Sequence, residues 1–130
     1  MSELRAQSRI FVVDDEFIIA STLATILRRN GFDASSFTDP HVALAKARLT
    51  APDLLITDVV MPGMSGIDLS IAIRTELPNC KILLFSGQAA TANLLDGARS
   101  KGHDFELLQK PIHPTEFLKR IKAVWAEPIV

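Results

Sequence analysis

The sequence predicts an α/β domain, a doubly wound open parallel sheet of five strands in (βα)5 order. Short runs of β-forming residues alternate five times with longer stretches whose apolar residues recur at helical spacing, and no repeat or low-complexity linker separates them. That alternation builds a parallel sheet covered by helices on both faces. The second observation is size: 130 residues, 48% apolar and 22% charged, suit one domain with a real core and leave no room for two. The third is where the polar residues fall. Those that break the hydrophobic pattern gather after the strands, at the edge where open parallel sheets bind their ligands.

Arg9 to Val13 reads as the first strand, four apolar residues running into Asp14-Asp15-Glu16. The helix that follows spans about Glu16 to Arg29, with Ile19, Leu23, Ile26 and Leu27 on one stripe and Asn30-Gly31 as its stop. A second strand near Phe32 to Phe37 precedes Asp39-Pro40, an N-cap and first-turn proline that open a helix to about Leu49. Asp53 to Thr57 is the third strand, ending at Asp58. Pro62-Gly63-Met64-Ser65-Gly66 then turns into a helix that Pro78-Asn79 ends near Leu77. Lys81 to Phe85 is the fourth strand, stopping at Ser86-Gly87, and a helix from about Ala89 to Lys101 ends at Gly102-His103. Phe105 to Gln109, the fifth strand, reaches Lys110-Pro111. The last helix runs from Pro114 to about Ala126, with Phe117, Leu118, Ile121, Val124 and Trp125 on its apolar stripe. The expected organisation is a tail over residues 1–8, one domain over 9–126 and a tail over 127–130, with nothing left for an effector domain.

Fourteen basic against fifteen acidic side chains give a formal charge of −1, and no Lys/Arg run exceeds two, so the electrostatic footprint of direct nucleic-acid binding is missing. No stretch has membrane-spanning length, and the first eight residues lack the apolar core of a secretion signal. A cytoplasmic, membrane-free protein is the expectation. Cys80 is single and outside any CxxC spacing, which makes it a small hydrophobe beside a strand. His41, His103 and His113 fall at helix or loop ends and suit surface or capping roles.

In an open parallel sheet, Asp14 and Asp15 after strand one, Asp58 after strand three, Ser86 after strand four and Lys110 after strand five share one edge. Two carboxylates about 4 Å apart repel by about 4 kcal/mol at an effective dielectric near 20. A hard divalent cation relieves that repulsion, and a few carboxylates plus water suit Mg²⁺, which keeps room for phosphate oxygen. With Lys110 as a second positive charge and one carboxylate as nucleophile, the set fits phosphoryl transfer. Singly, each residue has a plainer use: Asp14 and Asp15 as helix caps, Asp58 and Ser86 as turn residues, Lys110 as a solvated strand end. Their joint occurrence at four strand ends favours a site.

The order Val12-Val13-Asp14-Asp15-Glu16, then Asp58 followed by Met61-Pro62-Gly63-Met64-Ser65-Gly66, then Ser86-Gly87, then Lys110-Pro111, resembles the receiver domain of two-component response regulators, over essentially all of residues 9 to 126. The resemblance implies a flavodoxin-like sheet in strand order 2-1-3-4-5. It implies that Asp58 accepts a phosphoryl group from a sensor histidine kinase or phosphotransfer protein in a Mg²⁺-dependent reaction. Asp15 would bind the metal directly and Asp14 mainly through water, with Asp58 and the main-chain carbonyl of Val60 as further ligands. Ser86 and Lys110 would hold the phosphoryl oxygens, and Lys110-Pro111 would be a cis bond. Such a chain catalyses its own phosphorylation without being a turnover enzyme, and its phosphorylated form would change contacts with a downstream protein through the face from helix four to helix five.

One position departs from the family pattern. An aromatic residue usually stands three places before the lysine, and here that place holds Leu107, with Phe105 two residues earlier on the same strand face. The expectation is a readout that runs through Ser86 and the backbone, with Phe105 as a fixed packing residue. Val60 and Gln88 flank the route by which water would reach an acyl phosphate, and neither is a strong base, so no strong built-in phosphatase activity is expected.

Competing classes are weaker. A haloacid-dehalogenase-like phosphatase would show a DxD motif after strand one and a longer chain. A flavodoxin-like cofactor binder would show a Ser/Thr/Gly-rich loop where Asp14-Asp15-Glu16 stands, and neither a Walker A loop nor GxGxxG is present. A phosphate sink or relay, and a receiver-like scaffold that is never phosphorylated, remain as variants of the leading reading.

Overall fold

The computed structural model describes residues 8–87 and 91–125, with side chains in the fourth helix from residue 94 onward. Five strands, β1 (Arg9–Val13), β2 (Asp33–Phe37), β3 (Leu54–Asp58), β4 (Lys81–Ser86) and β5 (Glu106–Gln109), alternate with five helices, α1 (Phe17–Arg29), α2 (Pro40–Leu49), α3 (Gly66–Glu76), α4 (Thr91–Ser100) and α5 (Pro114–Val124). All neighbouring strands are parallel, in the order β2-β1-β3-β4-β5. The order reverses at β1, which pairs with β2 on one side and β3 on the other. The crevice at that reversal is the ligand-binding position of an open α/β sheet.

Alternation along the strands sorts their residues into two cores. Phe11, Val13, Leu55, Ile82 and Leu84 pack on one side against Ala43 and Leu44 of α2, Ile67 and Ile73 of α3 and Ala98 of α4. Ile10, Val12, Ile56, Leu83 and Phe85 pack on the other against Leu23 and Leu27 of α1 and Phe117 and Ile121 of α5. Strands buried on both faces read as unbroken apolar runs, which is why β1, β3 and β4 were the plainest elements in the sequence. Each fully buried Leu or Ile here contributes roughly 1.5–3 kcal/mol relative to leaving it exposed.

Helix ends follow local chemistry. Asp39 caps α2 by accepting the His41 amide at 2.8 Å, Ser65 caps α3 through Asp68 at 3.0 Å, and His113 caps α5, its Nδ1 accepting from Thr115 at 3.2 Å. The capping alternative for Asp14 and Asp15 does not hold: the residue before α1 is Glu16, which makes no side-chain cap. The predicted boundaries shift by a residue or so elsewhere. β2 starts at Asp33, β3 runs from Leu54 through Asp58, β4 includes Ser86, and β5 begins at Glu106, leaving Phe105 just outside the strand. The last helix ends at Val124 with Trp125 as its C-cap, two residues short of the predicted Ala126; the start of the fourth helix predicted near Ala89, and Gln88, lie outside the described residues. His41 is exposed, His103 lies parallel to the Phe105 ring at 6.1 Å, and Trp125 stacks on Phe32 at 5.8 Å as an edge anchor. No helix among the described residues is long and apolar enough to cross a membrane.

Cys80 is buried beside the start of β4, and burial, aided by the charge of Asp53, pushes its thiol up to about 12 from 9.0. Only the thiolate reacts, so native Cys80 is expected to alkylate about a thousandfold more slowly than in denaturant near neutral pH. The unfolded thiol ionises first, so this contribution to stability is intact below pH 9 and fades as the pH rises toward 12. Equal alkylation rates in native and denatured protein would contradict it.

Candidate functional site

The carboxyl ends of the strands bring the predicted residues together. Asp14 follows β1 and is fully buried, its amide held by the Phe37 carbonyl at 3.0 Å. One of its carboxylate oxygens accepts the Glu16 amide at 2.9 Å, and the other accepts from Lys110 Nζ at 2.9 Å. Asp58 ends β3 and is nearly buried; its Oδ1 accepts the Val59 amide at 2.9 Å and its Oδ2 lies 3.5 Å from Lys110 Nζ. Lys110 follows β5, where its amide donates to the Ser86 carbonyl at 3.0 Å, and its bond to Pro111 is cis. The ammonium is thus shared between the ends of β1 and β3.

Asp15 is exposed and, with Glu16, Asp58, Val60, Gly87 and Lys110, lines a cleft of about 600 Å³. Ser86 is buried behind that wall, with Gly87 forming the surface. Carboxylate oxygens of Asp14, Asp15 and Asp58 come within 4.8 Å of one another, the one such acidic cluster among the described residues. Three carboxylates against one ammonium leave the cleft short of positive charge. The Asp58 carboxyl is accordingly held above the ordinary carboxylate range, first by burial and then by the charge of Asp14, which outweigh the opposing pull of Lys110 and the Val59 amide. Burial opposes the Lys110 charge, but the hydrogen bond and charge of Asp14, reinforced by Asp58, raise its pKa all the same. An all-oxygen donor set with a surplus of negative charge, open to solvent on one side, fits a hard divalent cation such as Mg²⁺.

Two glycines shape the loop after β3. Gly63 takes a φ of +83°, a left-handed turn that suits glycine. Gly66 has a steric role: a β-carbon there would lie 1.8 Å from the Asp58 carbonyl oxygen, so α3 can start against β3 only without a side chain.

A family model described as the response regulator receiver domain matches residues 10–122. The chain belongs to the response regulator receiver domain family. It is 33% identical over 117 residues to the DNA-binding response regulator MtrA of Mycolicibacterium paratuberculosis, covering 90% of this chain and 51% of that protein. The receiver chain therefore spans about half the length of the curated relatives it matches. Among solved structures, the chemotaxis protein CheY4 of Vibrio cholerae superimposes with a TM-score of 0.80 at 27% identity, over 91% of this chain and 98% of that one. TrrA of Thermotoga maritima, solved in complex with Mg²⁺-BeF, gives 0.78 at 28% identity, over 91% and 99%. The receiver domain is the phosphorylation-controlled signalling module of two-component systems, and the sheet order and acidic cleft of this chain are those of that module.

The position that departs from the family pattern is clear in the fold. Leu107 is half-buried in β5 and packs on the same core as Phe105. Phe105 is buried, with the Arg74 guanidinium of α3 4.4 Å above its ring and His103 alongside. Its ring is thus contacted on two sides.

Some features escaped the sequence reading. An apolar groove of about 350 Å³ opens beside the acidic cleft between α1 and the loop after β5, lined by Ile18, Leu23, Phe85, Pro111 and Ile112, with Lys110 common to both. Ile18 in its lining is 76% exposed, and the preceding residue, Phe17, is 67% exposed. The signal was two apolar residues standing off the buried stripe of the first helix. The second is that the Lys110 ammonium lies 4.7 Å from the centre of the Phe85 ring.

Proposed function

We propose that Asp58 accepts a phosphoryl group from a phosphohistidine of a sensor kinase or phosphotransfer protein, and that the phosphorylated receiver changes its contacts with a downstream protein. The observation that carries this reading is the convergence of Asp14, Asp15, Asp58 and Lys110 on one solvent-open cleft at the switch point of the sheet. A carboxylate oxygen of Asp58 forms the new P–O bond as the donor's P–N bond breaks, and the P–N electron pair leaves with the imidazole nitrogen. Asp14, Asp15, Asp58 and the main-chain carbonyl of Val60 would hold Mg²⁺, which when bound supplies positive charge to the transferred oxygens. The Mg²⁺-BeF complex of TrrA supports that choice of metal. Lys110, 3.5 Å from Asp58, follows the negative charge as it moves outward onto the phosphoryl group.

Ser86 turns from its buried position to donate to a phosphoryl oxygen, and the accompanying shift at the end of β4 passes to the face from α4 to α5 where the downstream partner binds. Phe105 stays fixed and Leu107 repacks. The apolar groove that shares Lys110 with the cleft favours a protein donor over a small molecule alone. The chain acts as a stoichiometric acceptor in the cytoplasm, with residues 9–126 as the working unit, and a sink or relay role uses the same chemistry. Incubation with Mg²⁺ and acetyl phosphate should give one phosphoryl adduct by intact mass. No adduct, or an adduct that persists in Asp58→Asn, would sink the proposal.

A further inference from the structure

We propose that Phe85 is a positioning residue for phosphoryl transfer, its ring carrying the Lys110 ammonium beside the Asp58 carboxylate. The inference rests on Asp58 as the acceptor. Lysine is a compact charge on a flexible four-carbon stem, so its location depends on what surrounds the ammonium. Two partners are carboxylates, Asp14 at 2.9 Å and Asp58 at 3.5 Å, and the third is the Phe85 ring, 4.7 Å from its centre.

The ring is well anchored. Phe85 is 2% exposed, and in the sheet it stands opposite Asp58 on β3 and Leu108 on β5. The Phe85 carbonyl accepts the Val59 amide at 3.3 Å, and the next residue, Ser86, accepts the Lys110 amide at 3.0 Å. The strand pairing that places the acceptor and the root of the lysine therefore places the ring as well. By alternation Phe85 faces the α1 and α5 side, as does Leu108, two residues before Lys110.

An aromatic face does for this ammonium what a hydrogen-bond acceptor would not. Its attraction is spread over the ring, so the charge can slide from Asp58 toward an incoming phosphoryl oxygen with no directed bond to the ring to break, while the hydrogen bond to Asp14 tethers its other side. An aliphatic side chain of similar volume would fill the same space in the core and would desolvate the ammonium with no compensating attraction.

The test compares Phe85→Leu and Phe85→Met, which remove the ring, with Phe85→Tyr, which keeps it. In the metal-free wild type, ring current should shift the Lys110 ε-methylene protons upfield; Phe85→Tyr should keep that shift, and the aliphatic variants should lose it. With Mg²⁺ and saturating acetyl phosphate, the aliphatic variants should be phosphorylated about threefold to tenfold more slowly. Phe85→Tyr should run near the wild-type rate, and calorimetric Mg²⁺ affinity should stay near the wild-type value in all three. A folded aliphatic variant at the wild-type rate, a Phe85→Tyr protein as slow as Phe85→Leu, or an unshifted Lys110 signal in the wild type overturns the role. A wild-type protein with a shifted Lys110 signal that takes no phosphoryl group overturns the Asp58 reading, and the role with it, while leaving the contact standing.

Discussion

Gly66→Ala is expected to cost on the order of 3 kcal/mol or more and to lower Tm by about 10 °C, an effect readable by thermal or urea unfolding. The added β-carbon would lie 1.8 Å from the carbonyl oxygen of Asp58 and 2.8 Å from its carbonyl carbon, both main-chain atoms at the end of the sheet's central strand. Backbone cannot swing aside as a side-chain tip can. The Gly66 amide also donates to the Val59 carbonyl at 2.7 Å, so relieving the clash means losing the bond that ties α3 to the end of β3. Because the displaced atoms belong to Asp58, whatever fold survives should also accept phosphoryl groups poorly. Gly63→Ala is the control. There the positive φ costs about 1 kcal/mol, and the nearest atom to an added β-carbon is His41 Nε2 at 3.7 Å. A Gly66→Ala protein melting with the wild type would show that α3 starts further from β3 than the structure has it.

Asp58→Asn is expected to pull function and stability in opposite directions: phosphoryl acceptance falls to background, while Tm in a chelating buffer rises. The loss follows from removing the oxygen proposed as the nucleophile. The gain follows from linkage. Asp58 has a folded-state pKa raised above its unfolded value of 3.8, first by burial and then by Asp14. Folding therefore favours the protonated form. The stability tied to that proton is present below pH 3.8 and is lost as the pH rises through the folded value, so at neutral pH the ionised carboxylate opposes folding. Asparagine removes the charge, keeps an oxygen for the Val59 amide, and leaves Lys110 paired with the fully buried Asp14. Mg²⁺ should then raise the wild-type Tm more than that of the variant, since a cation that binds only the folded chain stabilises by about 1.4 kcal/mol at ten times its Kd. A chelated Asp58→Asn protein that melts below the wild type would contradict this account.

The same balance explains how a signalling site is assembled. The acidic cleft is an electrostatic liability held in place by a well-packed sheet; a bound cation would relieve it, and a phosphoryl group on Asp58 would add negative charge that the cation and Lys110 must then absorb.

Much of this was legible in the chain itself. Apolar runs of strand length separated by helical periods identified β1, β3, β4 and the α/β class, because burial on both faces of a parallel sheet leaves that pattern and runs this short, bounded by turn residues, are too brief for buried helices. Asp14, Asp15, Asp58, Ser86 and Lys110 stood out because charged and hydroxyl groups placed where buried strands end need a reason. Boundaries at β2 and β5 were less distinct, since edge strands mix exposed residues such as Asp33 and Glu106 into the run.

What only the tertiary structure decided depends on neighbours far apart in the chain. Periodicity says which face of an element is apolar, and not which element will cover it. Strand pairing set the ammonium of Lys110 against Phe85, brought Gly66 against the backbone of Asp58, drew Ser86 behind Gly87 and left Ile18 at the rim of an apolar groove. The sequence alone thus determined the class of fold and the chemical types gathered at one edge, because these are local and periodic properties. Distances, burial and shared contacts at that edge came from the packing of β1, β3, β4 and β5 side by side, because only their register sets how near each carboxylate lies to its cation.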